Sequence, residues 1–368
     1  MPPDGPLAVT ERRRAAQQAY PDDAYPAYSG EVTNLEVSPQ QEVCPPASPE
    51  GSSGPCLQLW PEREVPLGGV RAMNVQRTLP QRGLPTIGAW CFLDSFGPDR
   101  TAMSVLPHPH IGLQTVTWPL AGTIRHRDSV GSDVVVRPGE LNIMTAGHGV
   151  SHSEFAVLPP DGGLPLQRGL QLWVALPHRQ RHRQPGFEQH RDLPKLAGDG
   201  FTATVMVGEL GAVVSPATMY SPILGADITC EGNAVLPLNE HFEHGILVLD
   251  GGLAVDGQDI PPGPLGYLGI GRRELQVEAL PGTRFLLIGG EPLQEELLMW
   301  WNFVGRTHEE VEQARDEWEA QAAMSNGKAA AARYGLVPGH GPDAGAEAGR
   351  IPAPPLPAVR LTPRKRSV

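Results

Sequence analysis

Three imidazoles and one carboxylate are the residues most able to do chemistry: His108, His110, His152 and Glu154. They come as two pairs, each spaced i, i+2. On a β-strand, residues two apart point to the same face. Two short strands facing each other inside a barrel would aim all four side chains at one point. Three nitrogens and one oxygen suit a divalent first-row metal and leave coordination positions for water or substrate. A purely structural metal usually has a closed shell, so open positions favour chemistry. The plainer alternative makes these residues surface or hydrogen-bonding histidines. A lone H-x-H would not outweigh it; H-x-H followed by H-x-E across strand-like sequence does.

The elements that must position these groups read as short strands. Residues 113–120 alternate Thr115 and Thr117 with Val116 and Trp118, a two-faced strand, and Ala121-Gly122 turns it. Residues 123–128, 134–136 and 141–145 continue the pattern, and Arg137-Pro-Gly-Glu140 is a tight turn because Pro fixes φ and Gly permits the reversal. Gly147 and Gly149 let the backbone swing before His152. Residues 87–93 form an apolar run of buried-strand length, with Trp90 and Phe92 expected on one core face. Residues 169–176 give a further strand, and His178 and His182 fall in a polar rim loop with no metal role. Successive antiparallel hairpins predict a sandwich or barrel.

The second half repeats this grammar. Residues 246–253 resemble 117–123, and Pro262-Gly-Pro-Leu265 echoes Pro138-Gly-Glu-Leu141, which implies two similar β domains. His241 and His244 stand near the positions of the first histidine pair, but three apart. The position matching His152 falls near Gln276. The sequence therefore predicts no second metal site, and hydrogen-bonding roles for both histidines at a strand entrance. Thr307 and Glu310 have capping-box spacing. Val311, Ala314 and Trp318 then share one face of a helix running to about Met324.

Composition sets the limits. The chain has 368 residues, and Gly 43 with Pro 40 make more than one residue in five, favouring turns and short strands. A net charge of −12 argues against unaided nucleic-acid binding. The Arg12-Arg-Arg14 run and the terminal Arg364-Lys-Arg366 cluster read as solvated. Cys44, Cys56, Cys91 and Cys230 show no metal-ribbon spacing and read as free thiols, although the first two could meet. No apolar run reaches membrane-span length and no secretory signal is seen, so a cytoplasmic location is expected. The expected organisation is an irregular or mobile extension over 1–64, a metal-bearing domain over 65–185, a metal-free domain over 186–305, a helix over 306–325 and a Pro/Gly-rich tail over 326–368, extended on the surface or disordered.

Several motifs together carry a resemblance: His108-Pro-His-Ile-Gly-Leu-Gln-Thr-Val-Thr117, His126-Arg-Asp-Ser129, Arg137-Pro-Gly-Glu140, Met144-Thr-Ala-Gly147, His152-Ser-Glu154, Gly289-Gly-Glu-Pro292 and Asn302-Phe-Val304. Over about 65–325 the chain resembles the pirin family of the cupin superfamily. The resemblance implies an all-β chain of two tandem cupin β-barrels with a C-terminal α-helix. It also implies one divalent metal, usually Fe(II), held by His108, His110, His152 and Glu154. Cu, Ni, Mn or Zn are alternatives, and Cu(II), Ni(II) and Zn(II) exceed Fe(II) in intrinsic affinity. Many relatives have Glu at the position of Gln114 and Arg at that of His148; a histidine there could alter substrate preference or join a proton relay near the mouth.

Two activities are implied. One is a quercetin 2,3-dioxygenase, which opens a flavonol with O₂ and releases carbon monoxide, with the metal as Lewis acid and template and Glu154 as ligand and base. The other is a metal-dependent, redox-sensing regulator that binds a transcription factor or a metabolic enzyme. A folded relic with a structural metal is the bland third reading. The expected partners are therefore a flavonol-like aromatic and O₂, or a protein, with neither nucleic acid nor membrane.

Overall fold

The strand Leu113–Ala121 shows why the chain forms two barrels that cannot stand apart. Its Thr115 and Thr117 point into one barrel, whereas Val116 and Trp118 lie on the outer face and are buried against the second half of the chain. A computed structural model describes residues 42–44, 54–67 and 73–361. Within it every strand of the two barrels pairs antiparallel, as hairpin-rich sequence demands.

The first barrel has a seven-stranded sheet in the order Gly186–His190, Leu141–Thr145, Leu113–Ala121, Leu166–Ala175, Trp90–Arg100, Met73–Leu79, Arg63–Leu67. A four-stranded sheet faces it: Ser104–His110, Val150–Ala156, Ile124–Asp128, Asp133–Val136. The second barrel pairs an eight-stranded sheet, built around Ile223–Cys230, Thr283–Gly290 and Glu243–Asp250, with a four-stranded one. The chain is thus all-β, with two tandem cupin barrels and a C-terminal helix.

The barrels share an apolar core. Ile87, Trp90, Val116 and Leu172 of the first meet Val207, Leu247, Leu286 and Ile288 of the second, all fully or almost fully buried. Polar groups caught there are satisfied across the junction. Trp118 Nε1 donates to Asp227 Oδ2 at 2.8 Å, and Trp90 Nε1 donates to the carbonyls of Leu224 and Gly289 at 3.0 and 3.2 Å. Burying aromatic surface with its N–H paired avoids the penalty of an orphaned donor.

The domain limits differ from those expected. Gly186–His190 pairs with Leu141–Thr145 and so belongs to the first barrel. Pro55–Trp60, placed by composition in an irregular extension, pairs with Leu265–Gly269 and is a strand of the second barrel. Leu297–Trp300 and Phe303–Gly305 leave the barrels and form a small sheet with Glu42–Cys44. Strand partners are set by long-range pairing, which local composition does not encode. The residues before 42, the Arg12-Arg-Arg14 run among them, and residues 362–368 with the basic cluster lie outside those described. The possible meeting of Cys44 with Cys56 also lies outside the described side chains; Cys56, Cys91 and Cys230 are free thiols.

Trp90 and Phe92 do not share a face. The register with Leu166–Ala175 shifts between Trp173 and Val174, so Phe92 opposes Trp173 while Trp90 opposes Val174. The extra residue of the bulge reverses the alternation. Trp90 enters the shared core, and Phe92 turns into the first barrel.

The helix spans His308–Gln321, three residues short of its expected end. Thr307 caps it by accepting from Glu310 N, and Glu310 reaches back to Arg306 N at 2.9 Å. Val311, Ala314 and Trp318 face inward as their spacing predicts. The tail after it is neither loose nor merely extended on the surface. Ile351, Ala353 and Leu361 are buried with Trp300, Trp318 and Tyr334 in a separate apolar cluster. Among the described residues, no helix is long and apolar enough to cross a membrane.

Candidate metal centre

The two candidate pairs lie on adjacent strands. His108 and His110 end Ser104–His110, and His152 and Glu154 sit within Val150–Ala156, with His152 directly opposite His108. Alternation turns all four side chains to the barrel interior. His108, His110 and His152 are almost fully buried, and one ring nitrogen of each lies within 4.8 Å of the others.

Neighbouring groups determine which nitrogen of each ring is bare. His108 Nδ1–H donates to Leu106 O at 2.9 Å, and His110 Nδ1–H donates to Asn302 O at 3.1 Å. A backbone carbonyl only accepts, so the proton sits on Nδ1 and Nε2 keeps its lone pair. His152 is fixed by a longer chain. Asp128 accepts from His126 Nε2–H at 3.0 Å, which leaves His126 Nδ1 to accept from His152 Nδ1–H at 3.4 Å. Asp128 is itself held by the N–H groups of Val130 and Ser132. All three Nε2 atoms are therefore bare and converge, those of His110 and His152 standing 3.1 Å apart. Two imidazoles bound side by side to one ion at about 2.1 Å would stand roughly 3 Å apart. Lone pairs facing each other in a dry site are poised to share a cation, and the donor set fits a divalent metal.

Protonation points the same way. Burial lowers His108 to about 4 and pushes His110 and His152 well below the ordinary imidazole range. Neutral imidazole is the ligating form. Glu154 falls in a second group with His126 and His152 rather than with all three histidines. Its Oε1 stands 3.3 Å from Thr117 Oγ1, whose hydroxyl is also 3.0 Å from Gln171 Oε1. Apart from its exposure to the cavity it is enclosed by protein, and burial raises its carboxyl above the usual range.

These groups form the base of a cavity of about 630 Å³, counting its open mouth. Its walls are apolar and aromatic. Phe92 stacks on Trp173 at 4.1 Å and 12°, and Trp173 meets the His110 ring edge-on at 5.1 Å. Behind Phe92, Arg77 lies over the ring at 4.3 Å and pairs with Asp94 through two bonds of 2.8 and 2.9 Å. A small number of polar groups at the base of an apolar cleft is the usual form of a small-molecule site.

Other expectations meet different outcomes. His148, expected near the mouth, lies off the cavity lining, with Nε2 3.3 Å from Gln184 Oε1. Gln114 is buried and donates to Thr145 Oγ1 and Thr218 O, both at 3.0 Å. His126, Asp128 and the Asn302 carbonyl were not singled out as site groups. The motif His126-Arg-Asp-Ser129 held the signal, because His126 and Asp128 are also spaced i, i+2 on a strand that pairs with the His152 strand. The Asn302 carbonyl is presented by a two-residue turn in which Trp301 adopts φ 53°.

The second barrel is filled with apolar side chains where the first holds its histidines. Leu236, Leu275 and Val277 are buried on its small sheet, and Gln276 is exposed. His244 does lie at a strand entrance, but it is fully buried, and among the described residues neither ring nitrogen has a hydrogen-bond partner; His241 is exposed. Burial lowers His244 from 6.5 to about 4. Between those values the unfolded chain takes up a proton that the native chain refuses, so native stability falls as pH falls through this window. His244→Leu is expected to remove its own share of that slope, on the order of 3 kcal/mol between neutral and acid conditions, while the buried His108, His110 and His152 keep theirs. Urea midpoints of parent and variant at pH 7 and 4.5 measure it; parallel shifts would show that His244 does not set the slope.

The fold and the base of the first barrel define a bicupin with an imidazole-rich pocket, among the described residues, in the first half. The family models "Pirin" and "Pirin C-terminal cupin domain" match residues 72–174 and 225–323. The chain belongs to the pirin family. A Pseudomonas aeruginosa protein provisionally named a quercetin 2,3-dioxygenase is 43% identical over 310 residues, covering 82% of this chain and 91% of its own. A pirin-like protein of Caulobacter vibrioides is 36% identical over 259 residues, covering 67% of this chain and 88% of its own. The crystal structure of an Acinetobacter baumannii quercetin 2,3-dioxygenase matches with a TM-score of 0.73 at 38% identity, covering 83% of this chain and 98% of that one.

Proposed function

We propose that the protein is a metal-dependent dioxygenase of the quercetin 2,3-dioxygenase type, with one Fe(II) held by His108, His110, His152 and Glu154. The observation that carries this reading is the convergence of three bare, buried Nε2 atoms at the base of an aromatic-walled cavity. The relatives named for this activity support the reaction class. When bound, the metal supplies Lewis acidity and a template for O₂ and substrate.

The chain's own residues do the rest. The stacked Phe92–Trp173 pair lines the cavity beside the histidines and gives a flavonol an apolar, aromatic surface, and the apolar lining excludes water. Glu154, with its carboxyl raised by burial, accepts the proton of the substrate hydroxyl, and Thr117 holds the carboxyl ready to receive it. Asp128 and His126 keep the proton of His152 on Nδ1.

The test is anaerobic purification, loading with Fe(II), and measurement of O₂ uptake and carbon monoxide release with quercetin. Equal consumption of O₂ and flavonol, with one carbon monoxide each, is the expected result. No turnover in the iron-loaded protein, with capture of a protein partner that changes with metal oxidation state, would replace this reading by the regulatory one.

A further inference from the structure

We propose that His340, in the C-terminal tail, is a positioning residue for the metal centre and acts through Ser153. This rests on the reading that the Val150–Ala156 strand carries metal ligands. Alternation gives that strand two functions. His152 and Glu154 face the cavity, so Ser151 and Ser153 face the opposite side, and there both hydroxyls are bonded to the tail. Ser151 Oγ donates to Tyr334 O at 2.8 Å. Ser153 is fully buried, and its Oγ lies 2.8 Å from His340 Nε2. His340 Nδ1 faces Glu347 O at 2.5 Å, a group that only accepts, so Nδ1 carries the proton and Nε2 accepts from Ser153.

The His108 strand and the neighbouring Ile124–Asp128 strand are held by the same tail. Ile351 N donates to Pro107 O at 2.8 Å, next to His108. Arg127, between His126 and Asp128, pairs with Glu347 at 2.7 Å. The tail thus clasps the outer face of the sheet whose inner face presents the ligands.

Ser153 is where this hold matters most. Opposite Ser153 the His108 strand carries an extra residue, for His152 pairs with His108 but Glu154 with Val105, so on that side Ser153 has no ladder partner. A bulge leaves local backbone direction less constrained by pairing. A side-chain anchor at Ser153, which faces that bulge, sets how His152 and Glu154 are aimed relative to the His108 strand. Because tail docking and metal binding orient the same backbone from opposite faces, each strengthens the other by an equal free energy.

The test uses full-length protein and Ni(II) as probe, with affinity measured by competition against a chelator. His340→Ala is expected to weaken Ni(II) binding about 10-fold, the lower end of what losing an outer partner costs a metal site. His340→Gln, whose amide oxygen can accept from Ser153, is expected to restore most of the affinity, which a packing role alone would not. In the parent, Ni(II) is expected to slow backbone hydrogen exchange over 333–351. Unchanged Ni(II) affinity in His340→Ala would overturn the proposal and leave the metal reading intact, whereas a parent that binds no Ni(II) would overturn both. Should His340→Ala fail to fold, the parent's exchange decides: identical rates in the tail with and without Ni(II) overturn it.

Discussion

His152→Ala protein is expected to bind no metal at stoichiometric concentration and yet to stay folded. The parent is expected to bind one equivalent per chain, because the second barrel holds leucine and valine where the first holds imidazole. Of the three histidines, His152 is the one shared by both possible ligand groups. Its loss removes a direct donor, and since loss of an outer partner alone costs about 10–100-fold in affinity, a larger fall is expected here. The fold does not depend on it. Val150 anchors the strand in an apolar cluster, Phe155 is buried beneath Arg127, and the strand pairs with a neighbour on each side. What the metal-free variant loses is a hydrogen bond to His126 and some packing, together about 1–3 kcal/mol. Equilibrium dialysis with Ni(II) or Fe(II) and a thermal melt of the metal-free protein measure both quantities. A variant that unfolds outright would mark the site as structural, and a parent with two chelatable equivalents would contradict the single site.

Glu154→Gln is expected to reduce flavonol turnover by at least about 100-fold, the scale of a lost general base, while retaining measurable metal. The substitution keeps the size of the side chain and one oxygen donor but removes the charge and the proton acceptor. It leaves the three imidazoles, their tautomers and the aromatic wall untouched, so the fall should lie in kcat rather than in substrate affinity. Thr117 can still donate to the amide oxygen, which holds the new side chain in place. Steady-state O₂ uptake at matched metal content is the measurement. A turnover rate equal to the parent's would remove Glu154 from the chemistry and count decisively against the dioxygenase mechanism proposed.

That His108, His110, His152 and Glu154 face one cavity was legible because strand alternation is a local rule: an i, i+2 pair shares a face wherever the strand lies. The capping of the helix by Thr307 was legible for the same reason. What was not legible depends on pairing between distant segments. The bulge opposite Trp173 sends Phe92 into the cavity and Trp90 away from it, and nothing in residues 87–93 announces an extra residue. The Asn302 carbonyl reaches His110 across 192 positions and Ser153 reaches His340 across 187. Composition marked the tail as unstructured because Pro and Gly are common there. It packs nonetheless, since Ile351, Ala353 and Leu361 meet a preformed aromatic cluster.

The strand Pro55–Trp60 has a consequence for how the chain is made. It is synthesised before any strand of the first barrel's small sheet, yet its partner is Leu265–Gly269. As the chain leaves the ribosome, the first barrel's strands emerge complete while this earlier segment still has nothing to pair with. The outer face bearing Val116 and Trp118 also stays uncovered until the second barrel appears. Translation therefore passes through a stage with an unpaired edge and an exposed apolar sheet, the features that invite chaperone capture or aggregation. Slow elongation between residues 190 and 265 would prolong that stage, so soluble yield should depend on codon choice there more than elsewhere.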